Sequence, residues 1–133
     1  MWEDYRRIVY PKISLYEERC LISKAQKGSQ KSRDEIILRH IRFLIFRIHK
    51  LVFPRLLHSF GEDMLQETIL IIYAKIKQYD LDYRNKEGKP HPVRFSSYIW
   101  KRIDGYIIDF LKNELKTVNY FSEEKVEVPI LRS

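Results

Sequence analysis

The chain has one cysteine, Cys20, among 133 residues. A lone thiol forms no intrachain disulfide and builds no thiolate zinc cluster. Glycine (4) and proline (5) are scarce, which argues against a sandwich or barrel, whose many turns consume both. The most apolar stretch, "ETILIIYAKI", is charged near both ends and falls far short of the roughly 20 residues a membrane-spanning helix needs. The opening "MWEDYRRIVYPK" lacks the charged-then-apolar order of a signal peptide. A cytoplasmic protein is the expectation. Catalytic signatures are missing too. His40, His49, His58 and His91 stand in no HExxH or ExxH pattern, and no glycine-rich phosphate loop occurs. No histidine follows Glu62, Asp63 and Glu67 at ligand spacing. Cys20 has no activating base nearby in sequence. The expectation is therefore a protein that is not an enzyme and that needs no cofactor and no metal.

What is present is apolar residue and positive charge. The chain is 44% hydrophobic and 32% charged, with a formal net charge of +7. That composition supports one domain with a real core. The charge is uneven: residues 1–61 hold 13 basic and 6 acidic side chains, residues 62–82 hold 2 and 5, residues 83–116 hold 8 and 4, and residues 117–133 hold 2 and 3. A basic protein with an acidic island suits a polyanion on one face and a basic partner on another. A plain solvated surface is the competing reading.

The apolar periodicity is helical, and four main helices are expected in an all-α bundle. Ser14 caps the first, with Glu17 as its capping-box partner, and Gly28 follows its end near Gln26. Ser32 is the cap candidate for a second helix reaching about Val52, on Ile37, Leu38, Ile41, Leu44, Ile45, Ile48 and Val52, and Pro54 terminates it. A third helix is expected from about Gly61 to Tyr79. The polar loop "DLDYRNKEGKPHP" then precedes a fourth from about Ser96 to Leu115.

Two surfaces stand out. In the third helix, Asp63, Gln66 and Glu67 adjoin Ile69 and Tyr73, an acidic-to-apolar patch suited to a basic partner helix. The alternative is that Glu62, Asp63 and Glu67 complement the dipole of a helix that starts at Gly61. In the fourth helix, Phe95, Ile99, Ile103, Tyr106, Ile107 and Phe110 share the core side, with Trp100 at the edge. Tyr98, Lys101, Arg102, Gly105 and Lys112 share the other side, after a basic loop that carries Arg84, Lys86, Lys89 and Arg94. Bases stack on aromatic rings while Lys and Arg hold phosphates. A partly covered tyrosine on an ordinary amphipathic helix is the alternative.

Taken together, "LISKAQKGSQKSRDEIILRHIRFLIFRI", "EDMLQETILIIYAKIKQYD" and "RFSSYIWKRIDGYIIDFLKN" resemble region 2, the core, of bacterial RNA polymerase sigma factors of the sigma-70 superfamily. The resemblance covers roughly residues 14–115, and "DMLQET" with "YAKIKQYD" is its most specific part. It implies a compact helical bundle that docks on the clamp coiled coil of the largest polymerase subunit. Asp63, Gln66, Glu67, Ile69 and Tyr73 are then the polymerase-facing candidates. It also implies recognition and melting of the promoter −10 element by capture of non-template-strand bases. Tyr79, Phe95, Tyr98 and Trp100 are the aromatic candidates, Arg84, Arg94, Lys101 and Arg102 the backbone-binding ones, and Gly105 and Ile108 occupy promoter-reading positions. Phe95 also belongs to the core face, and both readings stand at this point.

The chain departs from the family pattern in places. Lys101 and Arg102 replace the tandem Trp pair of primary sigma factors, and His40 stands where Asn is common. Gly105 and Ile108 offer no hydrogen-bonding side chain. "LQET" and the short connecting loop look closer to the extracytoplasmic-function or clostridial toxin-regulator types. No second helix-turn-helix module for the −35 element follows. An excised region 2 domain over residues 14–116 is the expectation, with residues 1–13 as an arm and 117–133 as a linker or tail. A split factor is the alternative, whose −35-binding half is a separate chain. An anti-sigma factor is a further partner that the family allows. The competing function is a sigma-mimicking or co-sigma module that binds polymerase without opening DNA.

Overall fold

The protein's structure, a computed structural model, describes residues 2–117. It contains helices α1 (Glu3–Arg6), α2 (Leu15–Gln26), α3 (Gln30–Leu51), α4 (Pro54–Gln78) and α5 (Phe95–Thr117). Among the described residues there is no strand, only an isolated bridge between Arg84 and Pro90. The expected all-α bundle of four main helices is what is observed. Residues 118–133, most of the expected linker or tail, lie outside the described residues. No described helix is long and apolar enough to cross a membrane.

The local signals explain most helix ends. Ser14 Oγ accepts the Glu17 N–H at 3.1 Å, and the Glu17 carboxylate accepts the Ser14 N–H at 3.2 Å, so the capping box read from sequence opens α2. Gly28 closes that helix at φ 104°, a left-handed conformation that only glycine adopts cheaply. The cap of α3 is Ser29, not Ser32: Ser29 Oγ accepts the Ser32 N–H at 3.2 Å, and Ser32 is buried inside the helix.

The larger correction concerns α4, which begins at Pro54 rather than near Gly61. Pro54 ends α3 and also takes the first helical position of α4, where its missing N–H loses nothing. Gly61 is buried mid-helix, and a Cβ there would lie 2.8 Å from Trp2 Cζ2. Trp2, Tyr5 and Ile8 of the N-terminal arm pack on the bundle. The Trp2 ring meets His49 edge-on at 5.1 Å, and Arg39 donates to the Pro11 carbonyl at 2.7 Å while lying over the Tyr10 ring.

The core centres on α3, which packs against α2, α4 and α5. Ile36, Ile41, Leu44 and Ile48 from α3 meet Ile22 of α2, Met64, Leu65, Ile72 and Ile76 of α4, and Phe95, Ile99, Ile103, Ile107 and Leu111 of α5. Each such side chain contributes about 1.5–3 kcal/mol by leaving water. Spacing by three and four residues along each helix makes the stripes continuous.

Polar contacts then fix how the helices end. Glu18, buried on α2, accepts the Phe95 N–H at 2.6 Å and pairs with Arg94 at 2.9 Å. It so satisfies an orphan donor at the N-terminus of α5, where a carboxylate also suits the dipole. Gln26 donates its amide to the carbonyls of Ile76 and Tyr79 at 3.0 and 2.7 Å, at the far end of α4. Arg19 donates to the Leu81 carbonyl. Replacing Glu18 with Ala strands Arg94 and the Phe95 N–H together, so we expect a loss of about 2–4 kcal/mol in urea unfolding. A loss below about 1 kcal/mol would show that the α5 start finds other partners.

His40 lies in the same layer, buried, with Nδ1–H donating to the Ile36 carbonyl at 2.7 Å and its ring edge-on to Phe95 at 5.1 Å. Burial holds its pKa below 6.5, against the opposing pull of the Ile36 carbonyl and Glu18. The unfolded chain takes up this proton near pH 6.5 and the folded chain does not, so stability falls as pH drops below about 6.5, until the lower folded pKa is reached. Unfolding free energies at pH 7.5 and 5.5 check this. His40→Gln should flatten the difference, leaving the part due to His49, whose pKa burial and Arg6 also lower.

Candidate functional site

The outer face of α4 carries Glu62, Asp63, Gln66 and Glu67, all exposed. Because α4 starts at Pro54, Asp63 and Glu67 stand beyond the first two turns, and a helix dipole acts only within the first turn or so. The dipole account of these carboxylates therefore fails. The ion pairs found among the described residues, Arg39–Glu35, Arg47–Asp104 and Arg94–Glu18, use none of them. Asp63 and Glu67 instead lie close enough to Tyr106 to raise its hydroxyl pKa, after burial, the larger cause.

Toward the C-terminus the same face becomes apolar. Leu70 is 56% exposed, a high value for a leucine beside a core. Ile69 and Tyr73 are half-buried and pack on the core from its rim. The structure thus brings Asp63, Gln66, Glu67, Ile69 and Tyr73 onto one side of one helix, with Leu70 among them.

The aromatic–basic set divides. Tyr79 is buried, and its hydroxyl donates to the Val93 carbonyl at 2.5 Å. Phe95 is fully buried against His40 and Tyr79. The two readings of Phe95 resolve in favour of the core, and neither ring offers a face to solvent. Arg94 is engaged internally, with Glu18 and with the Ile13 carbonyl at 2.8 Å. Arg84 is exposed and donates to the Gly88 carbonyl at 3.1 Å, bracing the loop before α5.

The remaining residues stay at the surface. Tyr98 is half-buried, edge-on to Tyr79 at 5.2 Å, with the Lys75 ammonium 5.2 Å from its ring centre. Burial, then Asp80 and Tyr79, raise its hydroxyl pKa, so it remains a donor at neutral pH. Lys101 and Arg102 are exposed. Nothing lies within 4 Å of where a Gly105 Cβ would be, so packing does not demand a glycine there. Ser97, Trp100, Lys101, Asp104, Gly105 and Ile108 line one shallow groove on α5.

Trp100 is held by residues that sequence reasoning missed. Its Nε1–H donates to Asp104 Oδ2 at 3.0 Å, the Arg47 guanidinium lies 4.9 Å from its ring centre, and Phe43 meets it edge-on at 5.8 Å. Arg47 also grips Asp104 through two bonds, at 2.9 and 2.6 Å. The ring is nonetheless 46% exposed. An aromatic surface fixed in one rotamer loses little entropy when something stacks on it. Only the spacing of four between Trp100 and Asp104 hinted at this in the sequence.

No group of three or more His, Cys, Asp or Glu among the described residues is placed to hold a metal ion. The two faces offer carboxylates and apolar side chains on α4, and an aromatic ring and cations on α5. No known protein family, curated protein or solved structure matches the chain.

The Trp100 arrangement is directly measurable. In a Trp2→Phe background Trp100 is the sole indole, since the chain has two tryptophans. Asp104→Ala should shift its emission to the red and cost about 2–3 kcal/mol, because Arg47 loses its carboxylate. An unshifted spectrum would show that Phe43 and Arg47 alone fix the ring.

Proposed function

We propose that the chain is a transcription initiation domain of the sigma region 2 type, which binds core RNA polymerase through α4 and the non-template strand of the promoter −10 element through α5. The observation that carries this reading is the stripe Asp63, Gln66, Glu67, Ile69 and Tyr73. Its polar members are exposed and unpaired in the middle of α4, where neither the helix dipole nor an ion pair within the described residues accounts for them. Such a stripe suits a basic, partly apolar partner helix, and the clamp coiled coil of the largest polymerase subunit is the partner that the family resemblance supplies.

The DNA-facing set that best supports the reading is Tyr98, Trp100, Lys101, Arg102, Gly105 and Ile108, with Arg84 in the preceding loop. Trp100 and Tyr98 offer stacking surface, and the cations neutralise phosphates. The domain acts in the cytoplasm at the nucleoid and performs no bond chemistry. An anti-sigma factor or a chain carrying the −35 module completes its set of proposed partners.

The burial of Tyr79 and Phe95 and the internal use of Arg94 favour one second reading, a co-sigma or sigma-mimicking module that binds polymerase without opening DNA. One pair of assays separates the two. Gln66→Ala with Glu67→Ala should weaken capture of core polymerase about tenfold or more with the fold intact by circular dichroism. Trp100→Ala and Tyr98→Ala should each weaken binding of a −10 non-template oligonucleotide about tenfold while leaving polymerase capture unchanged. Full polymerase binding by the first variant removes the α4 assignment. Unaltered oligonucleotide binding by the other two leaves the co-sigma reading.

A further inference from the structure

The C-terminal half of α4 faces a feature that the stripe above does not include. Arg33, on α3, lies with its guanidinium carbon 4.9 Å from the Tyr73 ring centre. Its Nε is buried and has no hydrogen-bond partner. Arg33 lines an open groove with Leu70, Tyr73, Ala74, Lys77 and Gln78. A buried N–H left without an acceptor is unusual in a folded protein; that atom is closed to solvent, whereas the Arg33 side chain as a whole is only half-buried and lines the groove, where its charge is accessible. The groove supplies further donors, the Lys77 ammonium and the Gln78 amide, and an apolar floor of Leu70 and Tyr73.

We infer that this groove takes a carboxylate side chain from a partner helix that lies along α4, so that α4 reads charge at both ends. The acidic end, Asp63 and Glu67, meets basic residues of the partner, Leu70 and Tyr73 meet its apolar residues, and Arg33 with Lys77 meets its carboxylate. From residue 63 to residue 77 a helix rises about 21 Å, some four turns. The partner segment is therefore about 14 residues long, basic at one end and acidic at the other, and it docks in one direction only. A nucleic-acid phosphate is the other anion that Arg and Lys recognise. The carboxylates on the same face of α4 would repel a phosphate chain running along it, and the apolar middle is desolvated by a protein helix rather than by a backbone of charge. Arg33 joins the docking residues through the positive charge that it presents, with Lys77, to the groove.

This inference rests on the polymerase-docking reading, and the experiment separates the two. Binding of core RNA polymerase is measured for the full chain, for Gln66→Ala with Glu67→Ala, for Arg33→Met and for Lys77→Ala. Methionine keeps the unbranched apolar stem and removes the donors. Arg33→Met is expected to weaken binding about tenfold or more, with Lys77→Ala weaker in effect, and to leave the melting temperature of the free protein unchanged or higher, because an unpaired buried donor has gone. Normal binding by Arg33→Met, with Gln66→Ala/Glu67→Ala impaired, overturns the carboxylate site and leaves the docking face standing. Absence of polymerase binding by the unaltered chain removes both. A fall in melting temperature equal to the loss in binding assigns Arg33 to the fold instead. Loss of oligonucleotide binding by Arg33→Met with polymerase binding intact assigns the groove to phosphate and also overturns the inference.

Discussion

The Glu18 carboxylate is the contact on which the arrangement of this bundle depends. It sits on α2, yet it terminates α5, by accepting the Phe95 N–H and holding Arg94. Gln26, two turns further along α2, terminates α4 through the Ile76 and Tyr79 carbonyls. One short helix therefore fixes both ends of the loop between α4 and α5, and with Arg19 on the Leu81 carbonyl it fixes the loop's beginning as well. Buried carboxylates are costly unless every lone pair finds a donor. Here the donors are backbone and guanidinium groups that themselves need acceptors, so the contact is satisfied from both sides. The two candidate surfaces, on α4 and α5, keep their relative position through it.

Much of the fold was legible because local chemistry and periodicity agreed. Ser14 with Glu17, Gly28 and most of the core faces of α3 and α5 read correctly from spacing, although Leu38 is only half-buried and Ile36 and Leu111 belong to the core as well. The start of α4 did not, for a physical reason. Proline is both a stop for the helix before it and a good first residue for the helix after it, and Gly61 looked like a boundary because glycine weakens helix interiors. Its true role is steric, to admit Trp2. The pairings Glu18–Arg94 and Arg47–Asp104 join residues far apart in the chain, and no periodic signal marks them. The same holds for Tyr79 and Phe95: a sequence places an aromatic on a helix face, but only the packing of α2 and the loop over that face decides which rings are covered.

On α5 that packing decides which side chains stay at the surface. Tyr79 and Phe95 belong to the core and Arg94 is engaged by Glu18, so Trp100 on the α3 flank of α5 and Tyr98 on the α4 flank remain as separate aromatic surfaces. Arg47 from α3 and Asp104 from α5 itself hold the Trp100 ring in one orientation. A ring so held stacks with small entropic loss, whereas free lysines and arginines beside it contribute charge that salt screens. The groove thus combines one rigid element, Trp100, with the long exposed side chain of Lys101.

The acidic stretch on α4 gains its meaning from where the helix begins. Had α4 started at Gly61, Glu62 and Asp63 would have complemented its dipole and nothing further would have needed explanation. Starting at Pro54, the helix gains nothing from them there. Asp63 and Glu67, exposed and four apart on one helix face, repel one another, and no cation among the described ion pairs offsets this. Fourteen residues on, Lys77 lines a groove with Arg33 of α3, a pair of cations with no ion pair among those described, an unmet charge preference of the opposite sign on the same face. Two unmet preferences of opposite sign, joined by exposed Leu70, are each small costs to the free protein. A single partner with the reverse order of charges relieves both, and that economy is the physical argument for reading α4 as one continuous, directional docking face.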